Sequence, residues 1–200
     1  MKTITKKDLI NYLKKSPENL NFNIFGDMLD EFKNISEDKL ISLIKRDMVS
    51  FEFPDGITSI GDNAFNGCDK LKSINIPDSI TSIGNYAFSG CIGLTNIVIP
   101  DSVTDIGQFA FYGCLNLEEA VLGDNITDIK ERTFLSDERL RSIVIPKSVT
   151  TIGDFAFPST LHPLDVYYTG TEEEWSHVSI SSNNNAFNGA VIHYNYTPSN

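Results

Sequence analysis

The chain contains no run of 18 or more apolar residues, so no segment reads as a membrane-spanning helix. Its opening, MKTITKKDLINYLKK, turns polar again before a secretory hydrophobic core could form. The classical export route is therefore not expected, and the chain is placed in the cytoplasm or in a particle assembled inside the cell. Cysteine is scarce as well: there are 3, they cannot all pair within one molecule, and none sits in a CxxC clip. Neither a disulfide framework nor a zinc clip is expected, and reducing surroundings fit. The 3 histidines all fall in the last 40 residues and read as surface or cap residues, not as a zinc cluster. No GxSxG, HExxH, GxGxxG or P-loop occurs, and no serine or cysteine is recognisably matched to a base. The expectation is a protein that is not an enzyme and carries no cofactor or metal.

Positive charge is short only in part of the chain. Residues 1–47 hold 9 Lys/Arg against 8 Asp/Glu, whereas residues 48–200 hold 7 against 19. An acidic body of this kind repels phosphate backbones and anionic bilayers, so neither nucleic acid nor membrane is expected as a partner, while a basic protein remains open.

What is present is a repeat. IGDNAFNGC at 60–68 returns as IGNYAFSGC at 83–91 and IGQFAFYGC at 106–114. Ile60, Ile83, Ile106, Ile129 and Ile152 lie 23 apart, as do Phe65, Phe88, Phe111, Phe134 and Phe157. Five units follow, 48–70, 71–93, 94–116, 117–139 and 140–162. A unit this short cannot bury its own apolar side, so neighbours must stack and share one core. LKSINIP alternates as a strand, with Leu71, Ile74 and Ile76 inward and Ser73 and Asn75 outward. In register, such strands form a parallel sheet with equivalent residues ~4.8 Å apart. The cysteines then make a buried column, and the slot accepts other residues, since Asp137 and Thr160 occupy it in units four and five.

Other slots build the turn. Pro77-Asp78-Ser79 and Pro100-Asp101-Ser102 have turn chemistry. Thr58, Thr81, Thr104, Thr127 and Thr150 share one slot and point to a second short strand. Asp55, Asp78, Asp101 and Asp124 also stack; such a column could attract calcium, but turn capping explains it and Lys147 ends it.

The pattern LxxIxIPxxIxxIGxxAFxxC resembles the BspA-like, or Treponema pallidum-type, leucine-rich repeat family, over roughly residues 48–194. The passage VYYTGTEEEWSHVSISSNNNAFNGAVIHYN looks like the cap with which many such proteins end: a strand, a short helix around EEEW and a final strand near VIHY. The resemblance implies a curved solenoid and a protein or adhesive ligand, members commonly being bacterial or protozoan surface proteins. Unit four departs from the pattern with Gly123, Lys130, Thr133 and Asp137 where its neighbours have Pro, Gly, Ala and Cys, so a local irregularity is expected there.

The predicted fold class is thus a mainly β leucine-rich repeat solenoid with parallel sheets, preceded by a small α-helical region at 1–47 and closed by a cap at 163–200. In the first region Thr5 with Asp8 resembles a capping box, Ser16-Pro17-Glu18 a second helix start and Ser36 a third. These helices would cap unit one or dock the solenoid elsewhere. Asn34-Ile35-Ser36, Asn125-Ile126-Thr127 and Asn195-Tyr196-Thr197 match glycosylation acceptors by chance.

Function rests on what the coil exposes. The outward slots of the first strand hold Asn75, Asn96 and Val98, Glu119 and Val121, Ser142 and Val144, then Tyr167. Val98, Val121 and Val144 should make an apolar stripe closed by Tyr167, the kind of surface a protein partner needs, although valine also simply suits a strand. The leading expectation is a non-enzymatic protein-binding module using this concave face. The alternatives are a structural component of a larger assembly, such as a phage or virus particle docked through the N-terminal helices, or an acidic inhibitor of a basic host protein.

Overall fold

A computed structural model describes residues 3–4, 48–53, 55–157 and 160–198. The helices expected between residues 5 and 47 lie outside the described residues. Thr3–Ile4 form a two-residue strand, β1, paired in parallel with Ser59–Ile60.

The apolar slots bury as the alternation requires. Leu71, Ile74 and Ile76 are buried and Lys72, Ser73 and Asn75 exposed, and the inward slots of each later unit are buried as well. The second strands of the units are β2 (Ser59–Ile60), β3 (Ser82–Ile83), β5 (Asp105–Ile106), β7 (Asp128–Ile129) and β9 (Thr151–Ile152). First strands are β4 (Asn96–Val98), β6 (Glu119–Val121) and β8 (Ser142–Ile145). All pairings are parallel and most are offset by one 23-residue repeat, as in Asn96 opposite Glu119 opposite Ser142.

The cap continues the coil. β10 (Asp165–Tyr168) pairs with β8, and β11 (Ser179–Ile180) pairs with β9, so residues 163 onward wind a sixth turn. This turn is longer because α1 (Glu172–Ser176) is inserted between its two strands. Thr171 caps α1, its hydroxyl accepting from Glu174 N–H at 3.2 Å while Glu174 Oε2 accepts from Thr171 N–H at 2.7 Å, and the three glutamates of the first turn favour the positive end of the helix. A 3-10 helix, Asn185–Phe187, takes the place of the AF corner. β12 (Val191–His193) then adds one more rung beside β10.

The phenylalanine slot forms the spine. Phe65, Phe88, Phe111, Phe134 and Phe157 stack face to face with centroids 5.1–5.4 Å apart and ring planes within 16°. Both ends are closed by edge-on rings, Phe51 on Phe65 at 5.1 Å and Phe187 on Phe157 at 5.4 Å. Cys68, Cys91 and Cys114 are free and buried beside it. Their thiols join the rungs, Cys91 Sγ donating to Phe65 C=O at 3.3 Å and Cys114 Sγ to Phe88 C=O at 3.2 Å.

A second column escaped the sequence reading. Asn63, Tyr86, Phe109, Arg132 and Phe155 all adopt left-handed backbone, with φ of 53° to 59°. Side chains other than glycine resist this conformation by roughly 1–2 kcal/mol. Here they stack instead: Tyr86 lies 4.6 Å from Phe109, and the Arg132 guanidinium sits 5.4 Å from the Phe109 ring and 5.6 Å from that of Phe155.

Two seams interrupt the ladders. The first strand expected in unit two keeps its alternation but forms no ladder, so the five-stranded sheet runs β12-β10-β8-β6-β4 and stops. Burial alternation is fixed by the shared core, whereas a ladder needs rungs at bonding distance, and here residues 73–76 and the Asn96 and Val98 positions of β4 line a common pocket. The second seam lies between β5 and β7, which split the second strands into sheets β1-β2-β3-β5 and β11-β9-β7.

Lys130 accounts for the second seam. Elsewhere its slot is glycine, and a Cβ there would come 2.5 Å from Asp62 N at Gly84, 2.5 Å from Gly84 C at Gly107 and 2.6 Å from Glu131 N at Gly153. The absent Cβ lets Gly84 N–H reach Ile60 C=O at 2.8 Å, Gly107 N–H reach Ile83 C=O at 2.8 Å and Gly153 N–H reach Ile129 C=O at 2.7 Å. By the same geometry the Lys130 Cβ is directed at Gly107 and Gln108, and the rung moves away. Thr127 shows the result: its hydroxyl donates to Asp128 Oδ1 at 3.2 Å, whereas Thr81, Thr104 and Thr150 donate to the threonine carbonyl one rung down. The irregularity expected in unit four is therefore a broken ladder.

The candidate binding face

The first strands place the expected site residues in two columns. Val98, Val121, Val144 and Tyr167 are register partners, and the structure extends the line to His193. Asn96, Glu119, Ser142 and Asp165 form the neighbouring column, ending at Val191. Asn75 stands apart across the first seam, where it lines a pocket of ≈ 370 Å³ together with Asn96, Val98, Ile74 and Ile76.

The stripe is less uniform than expected. Val98 is 59% exposed, Val121 and Tyr167 are half-buried, and Val144 is only 7% exposed. Val144 therefore belongs to the packed sheet rather than to the accessible patch, held between Val121 and Tyr167 on the adjacent strands. Asn75, Asn96 and Glu119 are exposed and Ser142 half-buried.

At the cap end an aromatic cluster was missed. Tyr167 stacks on His193 with centroids 4.6 Å apart and meets Tyr196 at 4.8 Å. His193 Nε2 lies 2.8 Å from Asp165 Oδ1. The alternation in VIH was a readable signal, but His193 falls 26 residues after Tyr167, because α1 and its flanks break the 23-residue period.

Chemistry is quiet elsewhere. Burial pushes the Cys114 thiol up, and a hydrogen bond with Cys68 followed by burial does the same for Cys91, so neither thiol is a nucleophile. Among the described residues no group of three His, Cys, Asp or Glu is placed to hold a metal. Within the aspartate column Asp101 Oδ1 accepts from Asp124 N–H at 2.8 Å, which ties those two rungs together. No described helix is long and apolar enough to cross a membrane.

Comparisons with known proteins agree with this architecture. No curated protein matches the chain. A T. pallidum leucine-rich repeat protein of known structure is 31% identical, with a TM-score of 0.55, covering 62% of this chain and 61% of its own. A leucine-rich repeat protein from Eubacterium ventriosum is 26% identical at a TM-score of 0.52, over 76% of this chain and 44% of that one. The pneumococcal vaccine antigen PcpA shares the fold at 21% identity and a TM-score of 0.56, over 75% of this chain and 36% of its own. The chain thus spans less than two thirds of each. The model of the BspA type leucine rich repeat region matches residues 43–162 in six copies, and the chain belongs to that family.

Proposed function

We propose that the protein is a binding module whose first-strand face receives a protein partner. Repeat proteins of this family commonly serve protein interaction, and nothing points to catalysis. The observation that carries the reading is the five-strand parallel sheet with Val98, Val121, Tyr167 and His193 in one register line. Its open end, at Val98 and the adjoining pocket, is the most exposed apolar part. Its far end offers the Tyr167, His193 and Tyr196 rings, side chains that supply much contact area at small entropic cost.

The test is a comparison of Val98→Lys and Val121→Lys with the parent chain against partners isolated from the source organism. Each substitution should weaken association by on the order of 2 kcal/mol, the scale of an interface hot spot. The circular dichroism spectrum should not change, because neither side chain is in the core. If both variants bind normally while removal of residues 1–47 abolishes binding, the face is not the docking element and a tether through the N-terminal region replaces it.

A further inference from the structure

Unit four carries a carboxylic acid where its neighbours carry thiols. Asp137 is 2% exposed, and neither of its carboxylate oxygens has a hydrogen-bond partner. It is the next member of the column in which Cys91 donates to Phe65 C=O and Cys114 to Phe88 C=O. The corresponding acceptor for slot 137 is Phe111 C=O. A thiol is a donor; an ionised carboxylate is only an acceptor, and aims lone pairs at a carbonyl oxygen. Only the neutral acid can repeat the bond that the thiols make. Thr133, the other polar substitution buried in this unit, is satisfied, its hydroxyl donating to Lys130 C=O at 2.8 Å.

Towards the unit before it, the same unit lacks one of the two ladders that join it to the unit after. The β5–β7 ladder is missing, which leaves the β4–β6 pairing with its flanking bonds, the Asp101 bonds to Asp124 N–H and the Asn125 side chain, the exposed Lys130–Asp105 ion pair and, on the side of the column, the corner bonds Phe111 N–H to Thr133 C=O at 3.0 Å and Gly113 N–H to Leu135 C=O at 2.9 Å. Asp137 lies beside those corner bonds. The titratable group facing it from unit three is Cys114, which is also buried. From unit five the slot offers Thr160, whose hydroxyl is engaged with His162 C=O. Glu138 and Arg139 on its own segment point outward, both exposed. Among the described residues no ion pair to Asp137 forms.

We propose that the junction between units three and four is a protonation-sensitive joint, closed while Asp137 is neutral and loosened when it ionises. Burial acts in the same direction, holding the Asp137 carboxyl well above its usual range, with the Cys114 backbone offsetting it in part. A carboxyl raised in the folded state stabilises that state fully below the unfolded value, about 3.9. This contribution is lost as pH rises towards the folded value. Between the two, the folded form holds one more proton than the open form, so the opening constant grows up to about tenfold per pH unit. Because β6 of unit four carries Glu119 and Val121, opening the joint would also change the spacing of the first-strand face.

The experiment is hydrogen exchange by mass spectrometry on the full chain across pH 5–9, corrected for intrinsic exchange, comparing the parent with Asp137→Cys and Asp137→Asn under reducing conditions. In the parent, opening of peptides covering residues 106–113 and 130–137 should grow with pH relative to Asp137→Cys, by up to the tenfold per unit set by linkage. Asp137→Asn, which keeps the shape and cannot ionise, should track the cysteine variant's pH profile even if it is less stable overall. Parallel pH profiles for all three chains would overturn the proposal. So would a pH-dependent loss spread evenly over units two to five, since that would report global charge and not this joint.

Discussion

The close approach of glycine to the preceding rung makes Gly107→Ala a sharp test of how the coil is held together. An alanine Cβ at 107 would stand 2.5 Å from the Gly84 carbonyl carbon, a distance side chains do not tolerate, and the obstacle is backbone on both sides. The rung must retreat as it does at Lys130. The bonds at risk are Gly107 N–H to Ile83 C=O at 2.8 Å, Thr104 N–H to Thr81 C=O at 3.0 Å, Tyr86 N–H to Gln108 C=O at 3.0 Å and Gln108 N–H to Asn85 Oδ1 at 2.9 Å. Net contributions of about 0.5–1.5 kcal/mol for each of these four bonds give a loss of roughly 2–6 kcal/mol, of which the stiffer unfolded chain returns about 0.5–1. A destabilisation of about 1–5 kcal/mol is expected from urea unfolding, with a fall in Tm of about 2–4 °C for each kcal/mol in a chain of this size. A change below about 0.5 kcal/mol would show that the rungs adjust freely at this slot, and the explanation of the seam at Lys130 would fail with it.

The reciprocal change, Lys130→Gly, should stabilise the protein by about 1 kcal/mol, the recovered ladder outweighing glycine's chain entropy and a partly exposed ion pair with Asp105 worth little in water; unfolding in urea measures it, and a loss of stability would contradict the steric argument. The three cysteines, all fully buried, should resist a thiol reagent in the native protein and react together once denaturant is added, whereas rapid labelling of Cys91 in the folded state would contradict the core column.

The 23-residue period, the parallel stacking, the phenylalanine spine and the buried cysteine slot were legible because each rests on side chains that must face one shared core. So was trouble in unit four, since Lys130 and Asp137 violate slots whose size and polarity the other units define. Its form was not legible: that glycine is needed for a neighbouring rung and not for its own φ shows only once the rungs are stacked. The layout of the first-strand face was half readable. Alternation placed Asn96, Val98, Glu119, Val121 and Tyr167 on one face, but it could not tell that Val144 is covered, because exposure depends on neighbouring strands. His193 was hidden by the α1 insertion, which shifts the period. The left-handed column of Tyr86, Phe109 and Phe155 was missed because its residue types vary from unit to unit and defy the usual preference for glycine or asparagine.

The claim that the first-strand face meets a protein partner is tested most directly by site-specific photocrosslinking in the source organism. A benzophenone side chain would be placed in turn at position 98, on the exposed end of that face, and at position 151, exposed on the second-strand side. The account predicts a discrete protein adduct from position 98 that is lost when Val121→Lys is added, and none from position 151. An adduct from position 151 alone, or equal adducts from both, would contradict it.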